Sequence, residues 1–226
     1  MNELLQPFFE KAKECYELKE LEKLGLTPDM DQRLMILNYL SLIFKWNSIA
    51  GLISKEDEEK LFLRHFCDSI QPLLLFGFKK NGCVLDLGAG GGFPTIPISI
   101  FRSDLSFVVY ETSEFKLDFL EEVKNVLNLE KVQIFSDQIE NLPAPNIKYD
   151  YVISRGSGSL TEIAQKAKPF ISKEGRIYTF KTKQFEQELS DITMNKDKNG
   201  VGISEIAEYD LGNQILGLNL VSLALV

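Results

Sequence analysis

Two hydrophobic rhythms divide the chain near residue 76. Before it, apolar positions recur at helical spacing. The stretch 4–24 alternates leucines with Glu and Lys and stops at Gly25, which predicts one N-terminal helix. Thr27-Pro28-Asp29 predicts a second start, with Thr27 as N-cap and Pro28 at the first helical position, where its missing N–H is no loss. Leu34, Leu37, Leu40, Ile43 and Phe44 then mark one apolar face of a long helix reaching about Trp46. Ser54 followed by Glu56-Asp57-Glu58 predicts a further helix, with acids at its positive end.

From Gly82 short apolar runs alternate with helical stretches. Strands are expected over 84–87, 107–110, 132–135, 151–153 and 176–180, and helices over 93–101, 113–127, 160–170 and 185–194. Residues 195–200 read as a polar loop, and 203–209 and 218–226 as two closing strands joined across Gly212 to Gly217. Such alternation predicts an α/β fold with a parallel, Rossmann-like sheet, right-handed crossovers and helices on both faces. Residues 1–75 are expected to form a helical extension packed on this core, and residues 76–226 the sheet domain.

The candidate chemistry sits where the first strand enters its helix. Asp86-Leu87-Gly88-Ala89-Gly90-Gly91-Gly92-Phe93 occupies the position at which open α/β sheets bind nucleotides, and glycines let the backbone approach a ligand closely. A dinucleotide fingerprint wants a third glycine at position 93, which is Phe. Gly88-x-Gly90-x-Gly92 is instead the form typical of methyltransferases that use S-adenosylmethionine, whose cofactor presents an amino acid and adenosine. Glycines that merely turn the chain are the plain alternative. Glu111 argues against it, because it ends the second strand 23 residues after Gly88, where a carboxylate can accept both ribose hydroxyl hydrogens.

Composition narrows the class. The 226 residues are 44% hydrophobic and 26% charged, with no apolar run long enough to cross a bilayer. Neither a secretory leader nor a Cys-x-x-Cys pair is seen, and Cys15, Cys67 and Cys83 are odd in number, so a reducing cytoplasm is expected, with no disulfide, metal or membrane partner. A net charge of −8 opposes nucleic-acid binding by the whole surface. Between Arg155 and Lys183, however, seven basic residues face two acidic ones, a local +5 against −13 elsewhere, which makes this segment the candidate RNA surface, unless its lysines merely solvate helix faces.

Several separated motifs together resemble the bacterial small-subunit ribosomal RNA guanine-N7 methyltransferases of the RsmG (GidB) type. They are Lys45-Trp46-Asn47, Arg64-His65-Phe66-Cys67-Asp68-Ser69, the run Asp86 to Pro97, Phe119-Leu120 and Ile153-Ser154-Arg155. The resemblance implies a class I methyltransferase sheet and S-adenosylmethionine held by Gly88, Phe93, Ile139, Glu140 and Arg155. Gly90 and Glu111 join them on the loop and ribose arguments. It also implies 16S ribosomal RNA as substrate, within the small ribosomal subunit. The chain departs from the family in Phe115-Lys116-Leu117-Asp118, where a Lys-Arg pair and a further Arg are usual, and in Gly156-Ser157, where Ala-Phe is usual.

Guanine N7 carries a free lone pair, so the enzyme need only align and desolvate. Other acceptors demand visible chemistry: a thiolate for cytosine C5, or an Asn/Asp-Pro-Pro-aromatic motif for exocyclic amines. The sequence has neither. His65, the only histidine, reads as structural, and Arg155 at the carboxyl end of the fourth strand is the candidate for a catalytic role, against a plain surface ion pair. The rival readings are a methyltransferase acting on a small molecule or protein, a dinucleotide oxidoreductase, and a non-catalytic module retaining S-adenosylmethionine.

Overall fold

The computed structural model describes residues 5–137, 148–156, 158–182 and 185–226, the side chain of residue 197 excepted. The N-terminal region holds α1 (Gln6–Cys15), α2 (Leu18–Lys23), α3 (Met30–Ala50), a 3₁₀ turn (Lys55–Lys60), a π-helical segment (Leu61–Cys67) and α4 (Gln71–Leu75). The core holds β1 (Cys83–Leu87), α5 (Thr95–Phe101), β2 (Ser106–Glu111), α6 (Glu114–Val126), β3 (Val132–Ser136), β4 (Tyr149–Ser154), α7 (Leu160–Ala167) and β5 (Ile171–Lys181). It closes with α8 (Glu186–Met194), α9 (Lys196–Asn199), β6 (Val201–Leu211) and β7 (Ile215–Leu225).

Seven strands lie in the order β3-β2-β1-β4-β5-β7-β6. β1 to β5 run parallel, whereas β7 is inserted antiparallel between β5 and β6. The sheet is therefore mixed rather than wholly parallel. Alternate residues sort its two faces, as the strand period requires. Val84, Phe107, Val109, Ile153, Tyr178 and Leu220 join a cluster shared with α3, the π segment, α5 and α6. Leu85, Leu87, Val152, Ile177 and Val221 join a second cluster with α7 and α8.

Five local expectations are corrected. The helix expected over 4–24 breaks at Tyr16, whose extended backbone (φ −73°, ψ 119°) lays its ring edge-on against Phe62 at 5.0 Å. α3 is capped by Asp29, not Thr27: the Asp29 carboxylate accepts the Gln32 N–H at 2.8 Å, and the Gln32 side chain accepts the Asp29 N–H at 3.1 Å. The single apolar stripe is also too simple, since Leu34 is 49% exposed while Ile36, Tyr39, Leu40, Leu42, Ile43 and Phe44 are buried. α3 packs against α1, α5 and α6 and so is covered on several sides. The expected loop 195–200 contains α9, stopped by Gly200 in the left-handed region.

Ser54 does accept the Asp57 N–H at 3.2 Å, as a cap should, but the following turns are 3₁₀ and π rather than α. Burial explains the π segment. Leu61 and Phe66, and Phe62 and Cys67, are pairs five residues apart, all inward, which suits an i to i+5 repeat. The wider turn leaves Arg64 and His65 toward the carboxyl ends of the strands.

Candidate active site

The strand order reverses between β1 and β4, and the chain leaves both strands at the same edge, the place where open α/β sheets bind ligands. Gly88 follows β1 and Arg155 follows β4. Gly90 has φ +54°, and a Cβ there would meet nothing within 4 Å. This turn of the loop is therefore open for a ligand to approach its backbone. Gly92 differs: its φ is +83°, and a Cβ would stand 2.6 Å from Ile96 Cγ1, so packing onto α5 demands the glycine.

Under the loop lies Asp86, fully buried. Its Oδ2 accepts from Thr95 Oγ1 at 2.6 Å, while Oδ1 has no partner among the described residues. Burial pushes its carboxyl up to about 7, against the hydrogen bonds from Thr95. Glu111 ends β2, and its Oε1 accepts the N–H groups of Thr112 (2.8 Å) and Ser113 (3.0 Å). Those bonds aim the carboxylate at the strand's carboxyl end and do not use Oε2. Ile139 and Glu140 lie outside the described residues.

Phe93 is 5% exposed and its N–H donates to the Ala89 carbonyl at 3.1 Å, so the residue presents little free surface of its own. The ring is a hub, with Tyr39 at 5.5 Å, His65 at 5.2 Å and the Arg155 guanidinium over it at 5.6 Å. Arg155 is tied down on three sides: Nε donates to Asp68 Oδ2 (2.8 Å), Nη2 to the Arg64 carbonyl (2.9 Å), and Nη1 lies 3.0 Å from His65 Nδ1. A guanidinium has five N–H bonds, so two have no partner among the described residues. The ion pair is half hidden rather than a surface pair, with side chains 18% and 9% exposed.

Arg155 cannot accept, so His65 Nδ1 is the acceptor and the ring proton sits on Nε2, which stands 3.3 Å from Asp57 Oδ2 without hydrogen-bond alignment. Burial and the Arg155 charge lower the imidazole to about 4, despite Asp57, so His65 is neutral at physiological pH. Tyr209 of β6 donates to the other Asp68 oxygen at 2.6 Å. Burial and that carboxylate hold its phenol protonated well above the ordinary range.

The N-terminal helices reach the same place. Tyr39 of α3, fully buried, donates its hydroxyl to the Gly91 carbonyl at 2.6 Å. Lys45 and Trp46 both donate to Glu122 of α6 at 2.6 Å, and Asn47 Oδ1 accepts the Ile53 N–H at 2.9 Å, so this motif is an architectural clasp. Beside Arg155 opens a cavity of about 660 Å³, bounded by the π segment, the end of β5 and the β6–β7 hairpin.

Part of the expected RNA surface is engaged within the protein. Arg155 is paired with Asp68, Lys181 binds Glu188 (2.7 Å) and the Gly158 carbonyl (2.6 Å), and Lys183 lies outside the described residues. Sequence reasoning passed over Tyr39 and Tyr209, whose roles depend on contacts 52 and 141 residues away.

The family model for rRNA small subunit methyltransferase G matches residues 32–211. The chain belongs to this family. Ribosomal RNA small subunit methyltransferase G of Syntrophus aciditrophicus is 32% identical over 191 residues, covering 82% of this chain and 78% of that protein. The enzyme of the same name from Streptococcus agalactiae is 30% identical over 189 residues, 76% of this chain and 79% of that one. Among solved structures, a SAM-dependent methyltransferase from Aquifex aeolicus superposes with a TM-score of 0.57 at 16% identity, over 81% of this chain and 98% of that one. M. jannaschii TYW2 in complex with AdoMet gives 0.53 at 17% identity, over 70% and 73%. Both establish the fold: the rRNA small subunit methyltransferase G family member described here has the Rossmann-like sheet of the S-adenosylmethionine-dependent methyltransferases.

Proposed function

We propose that the protein transfers the methyl group of S-adenosylmethionine to N7 of a guanine in 16S ribosomal RNA, assembled in the small ribosomal subunit in the cytoplasm. The observation that carries this reading is the family match, which spans both the glycine loop and Arg155. The residues present fit the cofactor: an open glycine turn, the Glu111 carboxylate at the end of β2, and a buried Asp86 with one oxygen unpartnered among the described residues.

The cofactor supplies an electrophilic methyl on a sulfonium. Gly88, the backbone at Gly90, and Glu111 are the residues read as holding it, with Phe93, Ile139 and Glu140 expected from the family alone. Arg155 has two N–H bonds to offer, and Asp68, His65 and the Arg64 carbonyl fix where they point. No group in this cluster is needed to remove a proton, because N7 attacks through a lone pair. A neutral His65 and a carboxylate engaged by Arg155 and Tyr209 agree with that. The described residues thus orient and exclude water.

The test is methyl transfer from labelled cofactor to small ribosomal subunits lacking the modification, followed by chemical cleavage of the RNA at N7-methylguanosine. Label in RNA with a single cleavage site is expected. Label in protein or in a small-molecule fraction, with none in RNA, overturns the reading.

A further inference from the structure

The cavity beside Arg155 is lined by no residue of the glycine loop. Its floor carries Arg155, Asp68 and His65, and its walls come from elements far apart in sequence. Lys60 and Arg64 stand on one side, Phe180 at the end of β5, and Gln214, Ile215 and Leu216 of the β6–β7 hairpin on the other. We propose that this cavity is the acceptor-nucleotide site, in which a single unstacked purine nucleotide of the RNA is held between the π segment and the hairpin. The inference rests on the function proposed above and adds the place and the residues.

Three observations carry it. First, the cavity opens at the carboxyl ends of β4 and β5, on the edge that bears the glycine loop, so a base there lies beside Arg155. Its volume, about 660 Å³, exceeds that of one base, so a nucleotide with its sugar and phosphate fits. Second, the lining carries more cations than carboxylates in a chain of net charge −8. Arg64 is paired with Asp57, Arg155 with Asp68 and Lys181 with Glu188, which leaves Lys60 as the lining cation without an ion pair among the described residues. An unpaired lysine at the wall of a recess in a negative protein gives a phosphodiester a place to dock. Third, the walls mix aromatic and aliphatic surface with amide groups, as readers of unstacked bases do. Leu216 is 54% exposed at the rim, a large apolar side chain with little to cover it in the protein itself.

The hairpin wall is held to the floor. Tyr209 on β6 and Arg155 after β4 grip opposite oxygens of Asp68, so the outer wall and the guanidinium keep a fixed spacing.

The experiment compares the full-length protein with Leu216→Asp and Lys60→Glu, one change on each wall and both at exposed positions. Cofactor affinity is read by calorimetry and methyl transfer to unmodified small subunits by label. Each variant is expected to lower kcat/KM for the RNA at least tenfold, with cofactor affinity within twofold and melting temperature unchanged. Leu216→Ala keeps the test alive should the aspartate disturb the hairpin, and a threefold or larger loss is expected from it. If wild type methylates the subunits and all three variants match it within twofold, the cavity is not the acceptor site. If wild type methylates no RNA, it is the proposed function that fails.

Discussion

His65 offers the most direct test at the level of a single residue, because it is the only histidine in the chain and its ring protons are a unique NMR signal. Burial and Arg155 place its titration near 4. A midpoint close to the ordinary 6.5 would contradict the pairing of Nδ1 with the guanidinium. The sign for stability follows: the folded value lies below the unfolded one, so this contribution is complete above pH 6.5 and is lost as pH falls through about 4. Gly90 is the second case. Its left-handed φ of +54° disfavours a β-branched residue by about 1–3 kcal/mol, and a side chain there projects into the space left for a ligand. Gly90→Val is expected to weaken cofactor binding tenfold or more while the fold survives. Unchanged affinity by calorimetry would remove this turn from the site.

Among elements, α3 links the N-terminal region to the chemistry. Tyr39→Phe leaves the Gly91 carbonyl without its buried donor, at a cost of about 1–3 kcal/mol. A lower melting temperature with weaker cofactor binding is expected, since the hydroxyl holds the glycine loop itself; loss of stability with unaltered binding would reduce α3 to a packing role. The elements also show what could be read in advance. Each expected strand was legible, because the runs are short, largely apolar and bounded by turns. The glycine loop was legible because backbone constraint writes itself into composition at Gly88, Gly90 and Gly92. What escaped reading is set by distant partners. Tyr16 ends α1 to meet Phe62, Asp29 wins the cap over Thr27 through Gln32, and the π turn at 61–67 answers to inward packing. Tyr209 carried no local mark at all, since its meaning lies in Asp68, 141 residues away.

For the whole molecule, the apolar cluster shared by α3, the π segment and β1, β2 and β5 bears on the division at residue 75. We read residues 1–75 as an extension that the sheet cannot spare. A fragment of residues 76–226 would expose Phe107, Val109, Phe119 and Leu120 to water, and it is expected to aggregate. A soluble fragment with a cooperative melting transition would show instead that the sheet stands alone.

The insertion of β7 between β5 and β6 has a consequence for synthesis. On the ribosome β6 emerges before its neighbour in the sheet can hold it, because β7, the strand it pairs with, is made after it. Until β7 is released, the edge of β5 stays unpaired and Tyr209 has no fixed address. Arg155 keeps its own three partners, but the Asp68 carboxylate that anchors it then lacks the Tyr209 hydroxyl. A nascent chain halted before residue 215 would thus carry a finished glycine loop beside a cavity that lacks its hairpin wall, so the methyl donor could be bound well before it could be used.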